Sequence, residues 1–146
     1  MDDRALFDAS VPVMHHYAQR SITIAEKAQD TGLTVRLVPD GFPAGEHLWI
    51  AQNFAMRGVW SVLGCDAPAL HGGSATVQGL VAHGQAVSDH LLALTPQDFQ
   101  GAAGRTITHD AGQADVVLPA PVFLLHFILP NMIFHLTTGY SILRQQ

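Results

Sequence analysis

The feature that most constrains the fold is an apolar run near the end of the chain, between Val116 and Leu136. The run is about 20 residues long, which is the length of a membrane span, but it contains three prolines, an asparagine and two histidines. Such residues are costly in lipid, whereas a helix in a bundle tolerates them when their polar atoms find partners. The run therefore predicts a buried core helix from about Pro121 to Arg144 rather than a membrane span.

Length and composition fit one folded domain over residues 1–146. The chain is 48% apolar and 13% charged, which allows one core and is too hydrophobic for disorder. The net charge is −5 with neutral histidines, and the seven Lys and Arg residues are scattered, so no nucleic-acid-binding patch is expected. A single cysteine, Cys65, and an acidic amino-terminal segment without a signal-peptide pattern predict a cytoplasmic protein.

Three more helices are predicted where apolar residues recur at three- and four-residue steps. The first spans about residues 8–30, the second 43–63 with Gly64 as its stop, and the third 74–95. Together with the last helix at 121–144, they predict a mainly α four-helix bundle.

Two irregular features are predicted around the start and the middle of the last helix. A short β-hairpin is predicted at about 105–118, where two β-branched runs flank turn-prone residues at 110–113. Inside the last helix, Pro130 lacks a backbone N–H and its ring clashes with the carbonyl of His126. This clash predicts a kink at the proline.

The chain is rich in histidine, with nine residues, and histidine is both the commonest metal ligand and the side chain that titrates near neutrality. His83 and His90 lie seven residues apart at the flank of the apolar face of the third helix, and we interpret them as boundary residues. Four others fall near element ends or in loops and are interpreted as surface residues: His15, His16, His71 and His109.

The last helix carries the more informative group. Asn131 and His135 are four residues apart, so they lie on one helix face about a turn apart, which suits two ligands of one metal. His126 is nine residues from His135, which at about 100° per residue places it on the opposite face of a straight helix. We interpret His126 as an alternative or supporting ligand if the helix kinks, or as a core histidine bonded to a backbone carbonyl.

His47 is the third candidate, because it lies on the apolar face of the second helix and near its start. Antiparallel packing against the last helix would bring His47 to His135. A site of His47, Asn131 and His135 would leave coordination positions for water or substrate, as a catalytic metal requires. Asparagine is a poor zinc ligand, and Glu46 is the one carboxylate nearby in sequence, so a metal-free polar network is the alternative.

Three segments of the chain resemble an uncharacterised bacterial family: RLVPDGFP before the second helix, LTPQDFQG after the third, and LLHFILPNMIFHLTTGYSILR in the last. That family is a domain of unknown function in the DinB/YfiT-like superfamily of metalloenzymes. The resemblance covers nearly the whole chain. It implies an antiparallel four-helix bundle that commonly forms a homodimer.

The resemblance also implies a site for a divalent metal such as Zn, Ni or Mn, held by one histidine of the second helix and two of the last. These ligands fall on His47, Asn131 and His135, so two of the three histidines are kept. The implied activity is that of a thiol transferase or a hydrolase. The alternative is a metal-free small-molecule-binding or dimerisation module, in which His126, Asn131 and His135 form a structural network. A homodimer with an unidentified small-molecule ligand, and with no nucleic-acid or membrane partner, is expected.

Overall fold

The chain folds into a bundle of long helices, in a computed structural model that describes residues 1–110 and 112–146. A mainly α bundle with a hairpin before the last helix is confirmed. The long helices are α1 (Asp3–Glu26), α3 (Ala44–Leu63), α4 (Val77–Ala93) and α5 (Ala120–Gln145), and a single turn, α2 (Asp30–Leu33), separates the first two. A 3-10 turn (Pro96–Phe99) and the strands β1 (Thr106–Asp110) and β2 (Asp115–Pro119) lie between α4 and α5.

The first helix begins and ends earlier than the predicted 8–30. The carboxylate of Asp2 caps it by accepting a hydrogen bond from the backbone N–H of Ala5 at 2.7 Å. Helix α1 ends at Glu26, and the next helical residues form the separate turn α2. The apolar pattern missed the first turns because Leu6 is their one fully buried side chain.

Helices α3 and α5 run antiparallel, and they approach closely at two glycines, which have no side chain to keep the helices apart. A Cβ on Gly58 of α3 would lie 2.5 Å from Ile128 Cγ2 on α5. Further along the same contact, a Cβ on Gly139 of α5 would lie 3.2 Å from the Cβ of His47 on α3. The α3–α5 contact is therefore narrow along its length, and it carries His47 into the interior.

Helix α4 packs antiparallel to α1 but runs in the same direction as α3. The amide nitrogen of Gln19 on α1 donates to Ser88 Oγ on α4 at 2.9 Å. Going along α3 and α4 together, the rings of Trp49 and His83 lie 5.7 Å apart, and those of Trp60 and His90 lie 6.1 Å apart. Since the two helices are parallel, the chain needs the long connection 64–76 to return to the start of α4.

The hairpin is the predicted one, displaced by a residue. Strands β1 and β2 pair antiparallel from Thr106 with Pro119 to Asp110 with Asp115. Ala111, in the predicted turn, lies outside the described residues. The hairpin joins the bundle through Arg105, whose Nη1 donates to the Val62 carbonyl at the end of α3.

The last helix has a π-helical segment, Phe123–Ile128, followed by regular α-helix from Leu129 to Gln145. Pro130 lies two residues after the end of this segment, so the irregularity predicted at the proline is a widened turn before it. By length and composition α5 is the one helix of the described chain that could cross a membrane, and 44% of its most apolar window is buried inside the protein. The predicted core helix is buried on one side only, since Phe134 is 60% exposed.

Candidate functional site

His47 and His135 meet across the α3–α5 contact. His47 follows the first turn of α3 and is 7% exposed, and His135 is half-buried in the regular part of α5. The Nδ1 atoms of the two rings are 2.9 Å apart. The antiparallel packing expected from the sequence therefore does bring these two side chains together.

Both imidazoles are neutral near pH 7, because burial lowers the pKa of each ring. Burial is the main cause for His135, and the nearby His47 adds to it, so that the pKa of His135 falls to about 4. Burial also lowers the pKa of His47, and the negative charge of Glu46 opposes part of this change. A neutral imidazole carries one N–H and one bare nitrogen, so one Nδ1 donates to the other.

Three phenylalanines surround the histidine pair. Phe54 stacks on His135, with ring centroids 5.7 Å apart and planes at 28°. Phe42 meets His47 edge-on at 5.8 Å, and Phe134 meets His135 edge-on at 5.2 Å. Phe42 and Phe134 are 48% and 60% exposed. The pair therefore lies under an apolar surface that is open to solvent on one side.

Asn131 lies one turn before His135, as its spacing requires. Its amide nitrogen donates to the carbonyl of Phe127 at 2.7 Å, four residues back in α5. That carbonyl belongs to the π-helical segment, so the side chain of Asn131 stabilises the irregular backbone before Pro130. The amide oxygen is the atom that remains for any ligand at this position.

His126 does not join the pair, and its predicted place in the core is wrong. The side chain is exposed, while the rest of its π-helical segment includes the fully buried Phe123, Leu124 and Ile128. In a straight helix, the nine-residue spacing already places His126 and His135 on opposite faces, so they could not share a site. The π-helical turns do not bring His126 round to the interior.

Arg57 and His109 link the hairpin to the aromatic residues beside the pair, and no motif or spacing in the sequence indicates this contact. Arg57 Nη2 lies 3.0 Å from His109 Nε2 across 52 residues of chain. The ring of His109 packs 5.9 Å from that of Phe127, which itself packs 6.4 Å from Phe54. His109 is thus half-buried rather than on the surface as predicted. Burial is the main cause that lowers its pKa, and the positive charge of Arg57 adds to the effect.

Donors for a metal are few at this site. Within residues 1–110 and 112–146, no group of three or more His, Cys, Asp or Glu side chains lies close enough to hold an ion. The pair alone therefore supplies two imidazole nitrogens.

Comparisons with known proteins place the fold. A family model described as "Domain of unknown function (DUF1993)" matches residues 6–146. The chain is also similar to a DinB family member protein from Shewanella denitrificans, whose crystal structure superposes with a TM-score of 0.84. The two sequences are 26% identical, over 98% of this chain and 86% of that chain. No curated protein matches the chain.

Proposed function

The chain belongs to the DUF1993 family, a domain of unknown function with a DinB-like fold, and on that basis we propose that it binds a divalent metal through His47 and His135. The observation that carries this proposal is the 2.9 Å separation of the two Nδ1 atoms. Zinc–imidazole bonds are about 2.0–2.1 Å long. Two such ligands on one ion have nitrogens roughly 2.9 Å apart at a right angle and roughly 3.3 Å apart at the tetrahedral angle of zinc, so one ion can bridge the pair once the hydrogen bond between the rings opens by a few tenths of an ångström.

The charge state of the pair supports the same proposal. A histidine must lose its second proton before it can bind a metal, and this loss normally makes binding weaker at low pH. Burial lowers the pKa of both rings. Metal binding at neutral pH therefore needs no net loss of a proton. The ring that donates from Nδ1 must move its N–H to Nε2, which frees both Nδ1 atoms for the ion.

The donor set fits a metal in part. Catalytic zinc sites generally have three protein ligands. The third position that the resemblance implies is Asn131, whose amide nitrogen is already bonded to the carbonyl of Phe127. The amide oxygen is a weak ligand for zinc or nickel. We therefore propose a weak site with open positions, which prefers Ni²⁺ and Zn²⁺ over Mn²⁺ because imidazole suits the first two ions better.

The proposed reaction class, thiol transfer or hydrolysis, comes from the resemblance to the superfamily. A bound divalent ion supplies Lewis acidity and lowers the pKa of a coordinated water or thiol. The residues of the chain supply the rest of the site. His47 and His135 fix the position, Phe54 holds the ring plane of His135 by stacking, and the exposed Phe42 and Phe134 offer an apolar surface beside it.

A second candidate is a metal-free small-molecule-binding or dimerisation module. It is favoured by the hydrogen bond between the two imidazoles, which satisfies both Nδ1 atoms without an ion. The exposed Phe42 and Phe134 beside the pair would then contact an apolar ligand or a second copy of the chain. This candidate predicts that loss of either histidine lowers stability equally with and without metal.

Thermal unfolding in the presence of Ni²⁺, Zn²⁺ or Mn²⁺ tests the proposal on protein without a histidine tag. An ion that binds only the folded chain raises its stability by about 2.7 kcal/mol at a concentration of 100 times Kd. We expect a saturable rise in melting temperature with Ni²⁺ and Zn²⁺ and a smaller one with Mn²⁺. The rise should disappear in His47→Ala and in His135→Ala.

His90→Ala is the matched control, because His90 is a half-buried helical histidine that packs against Trp60, away from the pair. This variant should keep the full response to metal. No response in the native protein, or an equal response in His135→Ala, would rule the proposed site out and leave the metal-free candidate.

A further inference from the structure

His83 is a buried histidine, and neither of its ring nitrogens has a hydrogen-bond partner among residues 1–110 and 112–146. The side chain is 2% exposed, although its position at the flank of an apolar face predicted a boundary residue. His83 is buried because the connection before α4 lies over its side chain. A Cβ on Gly72 of this connection would be 2.7 Å from the Cβ of His83. The sequence pattern of α4 alone could not reveal this cover.

Two neighbours of His83 also have unpartnered polar atoms. The indole nitrogen of Trp49 is buried and has no partner in the part of the chain that the structure describes, and the Trp49 ring lies 5.7 Å from that of His83. The side-chain oxygen of the fully buried Gln52, one turn further along α3, is unpartnered as well. These three side chains, His83, Trp49 and Gln52, form what we call the His83 cluster.

The orientation of Gln52 is fixed by its other contacts. Its amide nitrogen donates to Ser21 Oγ at 2.9 Å and to the Leu80 carbonyl at 3.3 Å. A carbonyl can only accept, so the nitrogen must face Leu80 and the oxygen must face away from it. The free oxygen is therefore not the result of a reversed amide.

Unpartnered buried polar atoms are uncommon in native proteins, and those that occur generally bind water, an ion or a ligand. Here four such atoms lie on three side chains of the α3–α4 contact: Trp49 packs on His83, and Gln52 bonds the Leu80 carbonyl of α4. These atoms include both donors and acceptors of hydrogen bonds. The indole N–H donates, the amide oxygen accepts, and a neutral imidazole has one nitrogen that donates and one that accepts. Burial lowers the pKa of His83, which keeps the ring neutral at pH 7.

We propose that the His83 cluster is a second, internal binding site, for a small neutral molecule that both donates and accepts hydrogen bonds. Such a molecule would accept from Trp49, donate to Gln52 and bond one nitrogen of His83. Bound water has this chemistry, and so does a primary amide. A charged ligand is excluded because the cluster offers no charged side chain to compensate its burial.

The cluster is separate from the histidine pair. Trp49 and His47 are two residues apart on α3, about 200° around the helix, so they lie on different sides of it. Trp49 packs toward α4 and His47 packs toward α5. Loss of one site should leave the other intact, so failure of the metal proposal does not bear on this one.

The connection over the cluster is the route by which an occupant would enter. Gly72 packs on His83 of α4, and the Ser74 carbonyl packs on Gly45 of α3 so closely that a Cβ on Gly45 would overlap it. Residues 72–74 therefore close the α3–α4 contact above the cluster. Entry requires this segment to move, whereas the helices can remain in place.

NMR of the indole N–H of Trp49 tests the site in the native protein, with Trp60→Phe used to assign the signal. One arm looks for a cross-peak between this proton and a long-lived bound water. The other arm titrates acetamide and looks for a saturable change in the shift of the same proton. A water cross-peak alone identifies water as the occupant, and a saturable shift identifies an amide-sized solute.

Three variants make the test specific. His83→Phe should abolish either signal, while His83→Gln, which keeps a donor and an acceptor, should retain it. His90→Phe is the control, since His90 packs edge-on against the other tryptophan, Trp60, and it should behave like the native protein. Neither a cross-peak nor a saturable shift in the native protein, or an unchanged signal in His83→Phe, would overturn the proposal.

Discussion

His47 and His135 are 88 residues apart in sequence, yet their Nδ1 atoms lie 2.9 Å apart across the α3–α5 contact. The distance depends on how closely the two helices pack, and Gly139 lies directly beside the pair. A Cβ on Gly139 would be 3.1 Å from the Ala44 carbonyl and 3.2 Å from the Cβ of His47. The site is therefore a property of helix packing as much as of the two imidazoles.

Asn131→His should strengthen metal binding, because it supplies a third imidazole one turn from His135. We expect the affinity for Ni²⁺ or Zn²⁺, measured by calorimetric titration, to rise at least about tenfold, which corresponds to about 1.4 kcal/mol. Asn53→His is the matched control, since Asn53 also donates to the carbonyl four residues back, that of Trp49. Equal affinities in the native protein and in Asn131→His would contradict a third ligand position there.

The stability of the fold should depend on pH through His135. The pKa of this histidine is about 4 in the folded protein, against an ordinary value of 6.5. Between these values the unfolded chain binds more protons than the folded one, so the free energy of unfolding falls as pH is lowered through this window. The contribution is fully present above pH 6.5.

His135→Phe removes that titration and should flatten the curve between pH 6.5 and 4. Denaturant unfolding at several pH values measures both proteins. The carboxylates and the other buried histidines titrate in both proteins, so the difference between the two curves reports the loss of His135 together with its effect on the neighbouring His47. Curves that run parallel over the whole range would show that burial does not hold His135 neutral.

Gly58→Ala should destabilise the bundle. The added methyl group would lie 2.5 Å from Ile128 Cγ2, and overpacking of this kind costs about 1–3 kcal/mol. Alanine gains about 0.5–1 kcal/mol over glycine inside a helix, so the net loss should be roughly 0.5–2 kcal/mol. Gly104→Ala, where the nearest atom is 4.0 Å away, should change the free energy of unfolding little, and an equal effect in both variants would argue against a close α3–α5 contact.

His109→Ala should loosen the hairpin and leave the bundle intact. The variant loses the contact with Arg57 and the packing on Phe123 and Phe127. We expect faster amide exchange in β1 and β2, measured by NMR, with unchanged exchange in the helices. His71→Ala, in an exposed loop, is the control, and slow strand exchange in His109→Ala would show that the hairpin stands on its own pairing.

The bundle and the histidine pair could be predicted because both follow from the helical spacing of the apolar residues. Three- and four-residue spacing fixes which face of each helix is apolar, and it placed His47 and His135 on faces that meet. The glycine stop at Gly64 was also readable, since that residue has a φ of +75° that favours glycine. In each case the signal lies within one helix or at its end.

The errors involve contacts between elements far apart in sequence. His83 is buried by the loop at Gly72, and His109 is half-buried by α3 and α5. The π-helical segment leaves His126 exposed. A hydrogen bond from Asn131 stabilises this segment, and the spacing of residues in the sequence does not predict that bond. A helical pattern reports the face of a residue and not what the rest of the chain places over it.

Elemental analysis of untagged protein tests the central claim most directly. The native chain, dialysed to equilibrium against Ni²⁺ or Zn²⁺ at a concentration above the Kd, should hold about one ion per chain in excess of the ion in the dialysis buffer. His47→Ala and His135→Ala should each retain far less, and His90→Ala should match the native protein. A native chain that retains almost no metal, or variants that retain as much as the native chain, would contradict a metal site at His47 and His135.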